Sequence, residues 1–192
     1  DEWQVAPVLW NAVRFSIDNS GERGQYILTG SAVPHLDADE SNMLHSGTGR
    51  ISRVCMRTMS LYELGYSNGS ISLAELFNGK DDFDAVSDLS IEDIAYAICS
   101  GGWPSNLDLD GDVALQTPRD YVESVVSSDI SRADGVLRNP DTARRIMASF
   151  ARNICSIANM TVIMKDMGDS ADRNTVRSYI DALKTIFVIE DI

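Results

Sequence analysis

The segment PDTARRIMASFARNICSIANMTVIMKDMGDSADRNTVRSYIDALKTIFVIEDI, residues 140–192, carries the clearest periodicity in the chain. Pro140 suits the first position of a helix, where its missing N–H is no loss. Ala143, Ile146, Met147, Phe150, Ala151 and Ile154 then recur on one side at helical spacing. Residues 161–167 read as a short helix stopped by Gly168. After a polar turn, 174–187 reads as a long helix with Val176, Tyr179, Ile180, Leu183 and Phe187 inward, and 186–192 ends β-like. Helix, short helix, turn, long helix and strand is the order of a winged helix-turn-helix, which is the expectation for 137–192.

Upstream the pattern is more broken. Val5, Val8, Leu9, Ala12, Val13 and Ile17 mark a helix over 5–18 that stops at Asn19-Ser20-Gly21. Residues 25–29 and 50–56 read as short strands on either side of a polar loop over 32–49. Ser60 and Glu63 have capping-box spacing, as do Ser72 and Glu75 at the start of a short helix over 72–78. An acidic linker over 81–88 leads to a firmer helix over 90–100, with Ile91, Ile94, Ala95 and Ile98 as its stripe and Gly101-Gly102 as its stop. Thr117-Pro118 is expected to cap a further helix running to about residue 128. The fold class expected is α+β, mainly helical, in three parts: 1–60, 61–136 and 137–192.

Charge bounds the partners. The net charge is -13, and it is uneven: 22 acidic and 8 basic side chains lie in 1–136, against 7 and 8 in 137–192. Phosphate repulsion opposes nucleic-acid contact along the acidic front, so only the last third is permitted to touch it. There, Asn174, Arg177, Ser178 and Lys184 would lie on the outer face of the long helix as a DNA reader, although Asp172 and Asp181 sit beside them. Cys55, Cys99 and Cys155 form no C-x-x-C pair, and His35 and His45 offer no metal-ligand spacing. Reduced thiols, no membrane-length apolar stretch and no signal peptide point to a cytoplasmic protein. The Asp108-x-Asp110-Gly111-Asp112 run has its glycine at the fourth position and Arg119 at the twelfth, which rejects a calcium loop.

Several short motifs follow one another along nearly the whole chain. They are Asp1-Glu2-Trp3-Gln4, Tyr26-Ile27-Leu28-Thr29-Gly30-Ser31, Gly49-Arg50 and Met59-Ser60-Leu61-Tyr62-Glu63. Gly101-Gly102-Trp103-Pro104, Leu137-Arg138-Asn139-Pro140, Ser149-Phe150-Ala151-Arg152-Asn153, Asp181-Ala182-Leu183 and Phe187-Val188-Ile189-Glu190-Asp191 follow. Together they resemble the bacterial AAA-type ATPases whose P-loop core is followed by the domain of unknown function 4143. The resemblance implies that Asp1 holds magnesium, that Glu2 polarises the attacking water and that Thr29 and Ser31 belong to a sensor strand near the nucleotide. Arg50 would supply the cation for phosphate charge.

No G-x-x-x-x-G-K-[ST] loop accompanies these motifs; Gly79-Lys80 has Ala74 and Asp81 at the two other defining positions. The resemblance therefore implies a fragment with a remnant of the ATPase sheet, inactive alone, with no cofactor of its own and with ATP and magnesium bound only in the intact parent. Self-association through a truncated sheet edge around Ile27 and Leu28 is a further expectation. The alternative is a non-catalytic winged-helix module for DNA or protein partners.

Overall fold

A computed structural model describes residues 1–31, 47–82, 84–109, 111–157, 159–168 and 172–190. Most of the expected 32–49 loop, Asp110 and the last two residues lie outside them. The helices are α1 (Val8–Ser20), α2 (Leu73–Phe77), α3 (Ile91–Ser100), α4 (Gly111–Ser124), α5 (Ile130–Arg132), α6 (Pro140–Arg152), α7 (Met160–Met167) and α8 (Arg173–Thr185). Among the described residues there is no strand. Two compact units result, one formed by Asp1–Arg53 with Glu123–Ile192, the other by Val54–Val122.

The first unit holds the core. Its last three helices, α6, α7 and α8, each start on a side chain that accepts the orphan N–H groups of the first turn. Asn139 Oδ1 accepts from Asp141 and Thr142 at the head of α6, where Pro140 occupies the first position. Asn159 does the same for α7, which ends at Gly168 with φ 65°. Asp172 Oδ1 accepts from Asn174 and Thr175 at 2.8 and 3.1 Å at the head of α8. A π-helical turn, Val125–Asp129, brings Val125 and Val126 inward just before Ile130. The turn packs on α6 and α5 on α8, while α6 packs on both α7 and α8, so that Ala143 and Ile146 of α6, Ile163 and Met167 of α7, and Val176, Ile180 and Leu183 of α8 are all buried. Each large side chain so buried contributes about 1.5–3 kcal/mol.

Ser149 is fully buried on the inner side of α6 and donates to Asp166 Oδ2 on α7 at 2.7 Å. Arg152 and Asn153 donate to the same oxygen at 3.1 and 3.4 Å. The Ser149 hydroxyl first, then Arg152, hold the Asp166 carboxyl below its ordinary range. Asp172 is lowered likewise, first by the Thr175 hydroxyl and then by backbone N–H groups. A carboxyl lowered by folding stabilises the native state above its unfolded value, near 3.9, and that contribution is lost as pH falls through the folded value. The melting temperature should therefore drop below about pH 4, and Asp166→Asn should flatten that acid limb. An unchanged acid limb in thermal melts of Asp166→Asn would rule out this carboxyl as a source.

The α+β expectation is corrected. A strand needs partners for its backbone N–H and C=O groups, and 25–29 and 50–56 form no ladder among the described residues. Ile27 is instead 87% exposed, so the sheet edge invoked for self-association is not formed there. The expected wing is replaced by a helix stop. Phe187 adopts φ 58°, its N–H bonds Lys184 O at 3.0 Å, and Val188 N–H bonds Leu183 O at 2.9 Å. This Schellman-like closure uses the groups a strand would have needed.

The second unit is built differently. α3 opens on a full capping box between Ser90 and Asp93 and closes at Gly101, φ 68°. The backbone of Met59 crosses Gly102 closely enough that a Cβ there would lie 2.1 Å from Met59 O, and Met59 N–H bonds Gly102 O at 2.8 Å. Trp103 and Tyr121 pack at 4.6 Å between ring centroids. Pro118 does not start a helix, as the sequence suggested, but lies inside α4. Among the described residues of this unit, only Ser100 and Ala114 are buried.

Candidate functional site

The residues of the expected nucleotide site are partly gathered. Trp3–Val5 form a 3-10 turn beside the chain at 29–31, with Trp3 N–H bonded to Thr29 O at 3.1 Å. Thr29 Oγ1 donates to Asp1 Oδ1 at 2.6 Å, and Ser31 Oγ donates to Glu2 Oε2 at 3.4 Å. Gln4 Nε2 reaches both Glu2 and Ser31. Arg50 is elsewhere: its guanidinium bonds Asp18 of α1 and Thr48 O. Asp1 and Glu2 are both exposed and accept from these neutral groups, an arrangement that satisfies a surface turn. Among the described residues no group of three or more His, Cys, Asp or Glu is placed to hold a metal.

On α8, Asn174, Arg177 and Ser178 are exposed and Lys184 is half-buried. Asn174 and Ser178 share one side and line a cavity of about 420 Å³ with Val136, Leu137, Arg138 and Tyr179. Ser178 is a structural partner, because its Oγ and backbone oxygen accept from Arg138 Nη2 at 3.0 and 3.2 Å. Three other arginines of the last third are tied to groups of the same chain. Arg144 clasps Glu123 at 2.7 and 2.9 Å, Arg152 pairs with Asp166, and Arg145 caps the end of α7 at Met167 O. A phosphate-binding surface needs cations turned outward. Lys165, Arg173 and Arg177 are exposed, but the exposed Asp172 and Asp181 lie on or beside the same helix as the two arginines.

The apolar side of α3 is the third candidate, and the sequence reading missed its character. Ile91, Ile94 and Ile98 form the expected stripe, yet they are 82%, 44% and 76% exposed. The helix is well made at both ends, so the stripe is a formed surface and not a frayed segment. Glu92 and Asp93 stand in its first turn and Asp88 precedes it, all exposed. Asp93 is held below the ordinary carboxyl range by the Ser90 hydroxyl, then by the Ser90 N–H. Leu73, Leu76 and Phe77 of α2 are exposed as well. Burying the three isoleucines against another surface would contribute about 3–6 kcal/mol.

A family model described as a domain of unknown function (DUF8612) matches residues 91–192, which begin at α3. No curated protein and no solved structure matches the chain. The expected AAA-type ATPase membership is thereby corrected: the matching family is a different one, and the described residues contain none of the ATPase sheet. No helix among the described residues is long and apolar enough to cross a membrane.

Proposed function

The chain belongs to the family described as domain of unknown function DUF8612, and from that premise we propose that it is a non-catalytic helical module that docks a protein partner on α3. The observation that supports this is the open Ile91, Ile94 and Ile98 stripe on a helix capped at both ends. Exposed isoleucines at helical spacing are costly to leave in water, and interaction surfaces are where such patches persist. The DNA-binding alternative is less favoured, because Arg138, Arg144, Arg145 and Arg152 are tied to groups of the same chain and the exposed Asp172 and Asp181 lie beside the exposed Arg173 and Arg177.

Site-specific photo-crosslinking in cells from a reactive residue in place of Ala95, an exposed member of the stripe, tests the reading. A discrete protein adduct that disappears with Ile94→Ser and Ile98→Ser is the expected result. Absence of any stripe-dependent adduct would sink it. In parallel, a short DNA duplex at low salt should show no saturable binding; binding that falls steeply with added salt would favour the nucleic-acid reading instead.

A further inference from the structure

Resting on the docking reading, we infer that the partner surface is a basic amphipathic helix, with apolar anchors at helical spacing flanked by Lys or Arg, and not a second copy of this chain. The unit Val54–Val122 contains 12 acidic and 3 basic side chains, a net of -9 within the chain's -13. Lys80, one of those three cations, pairs with Glu75 of α2 at 3.0 Å. The α3 stripe is thus an apolar strip in a negative field, with Asp88, Glu92 and Asp93 within a few residues of Ile91.

That field sorts the possible occupants. A second copy would bring -9 against -9, with flanking charges inside the screening length of about 8 Å at physiological salt. Nucleic acid and anionic lipid are repelled by the same charges. A polypeptide with cations beside its apolar anchors gains on both counts, since rim charges of opposite sign speed encounter and fix orientation.

Geometry limits the occupant further. The stripe from Ile91 to Ile98 spans about 10 Å along the helix axis. It therefore matches two or three anchors of a crossing helix, spaced i, i+3 or i+4, and i+7.

The test uses the whole chain and three fluorescent helical peptides with leucine at those spacings. Their polar positions are filled by lysine, glutamine or glutamate, and binding is read by anisotropy. The lysine peptide should bind at least about tenfold more tightly than the glutamine one, with the advantage shrinking as salt is raised. The glutamate peptide should not bind. Ile94→Ser with Ile98→Ser should weaken the lysine peptide at least about tenfold, and Asp88→Asn with Glu92→Gln should reduce its salt dependence while circular dichroism stays unchanged.

If the glutamine peptide binds as tightly as the lysine one, in an Ile94- and Ile98-dependent way, the charge inference fails and the docking reading stands. If no peptide binds in a stripe-dependent way, both fail. A dimer in light scattering that is lost with Ile94→Ser would also overturn the inference, in favour of a second copy.

Discussion

Arg138→Ala is expected to destabilise the helical unit by about 3–5 kcal/mol, the cost of breaking a buried ion pair from one side. The Arg138 side chain is 1% exposed, and both terminal nitrogens reach Asp134 at 2.6 Å. Its Nη1 also donates to Ile130 O at 2.9 Å and Val136 O at 3.3 Å, and Nη2 donates to Ser178 on α8. The guanidinium lies over the Tyr179 ring at 5.6 Å, while Tyr179 Oη accepts from Asn139 N–H at 2.8 Å. One side chain thus ties the end of α5, the entry to α6 and the middle of α8. The Asp134 hydrogen bond and charge push the Arg138 pKa up, so the group stays a cation throughout.

Removing it leaves Asp134 and several carbonyls without this donor. Arg138→Lys should recover little, because a point ammonium cannot span a bidentate carboxylate and a serine at once. Asp134→Ala combined with Arg138→Ala should cost less than the sum of the singles. Urea unfolding measures all three; a loss below about 1 kcal/mol for Arg138→Ala would show the network to be incidental.

Asn106→Ala is expected to cost about 2–3 kcal/mol in the second unit, because it orphans carbonyls that rely on its side chain for a donor. Pro118 has no N–H, so the α4 carbonyl four residues earlier, Ala114 O, loses its helical bond. Asn106 Nδ2 supplies the replacement at 3.1 Å and also donates to Ser100 O at the end of α3, at 2.9 Å. Its Oδ1 accepts from Thr117 Oγ1 at 2.7 Å. Both residues bridged on the donor side, Ser100 and Ala114, are the buried ones among the described residues of this unit. Pro118→Ala should rescue part of the Asn106→Ala loss by restoring the backbone donor. If Asn106→Ala costs the same in thermal melts with and without Pro118→Ala, the orphaned carbonyl is not the cause.

The helices of the C-terminal half were legible because their signals are local. Asn139, Asn159 and Asp172 stand where caps belong, and Val176, Tyr179, Ile180 and Leu183 recur with the period of a buried face. Phe187 was read inward with them and is 54% exposed, since it is itself the left-handed residue that follows the end of α8. The strands over 25–29 and 50–56 were misread because a short apolar run carries no record of its pairing partner. The Asn106 bridge left a trace that could have been used: a proline within a helical pattern implies a carbonyl needing an outside donor. Arg138 sat in a recognised motif, yet burial of its guanidinium has no signature in sequence spacing. The carboxylate–hydroxyl pairs at Asp1, Glu2, Thr29 and Ser31 were brought together by the fold, whereas Arg50 was drawn to Asp18.

Sequence alone determined where α3, α6, α7 and α8 run and which face of each is apolar. Helix period, caps and stops act within a few residues, so they can be read without the rest of the chain. Only the tertiary structure decided what those faces meet. The faces of α7 and α8 each close on α6 and form the core with it, while the equally regular face of α3 stays exposed. Amphipathicity states that a helix has an apolar side; burial depends on a second surface, and that surface is set by contacts distant in sequence.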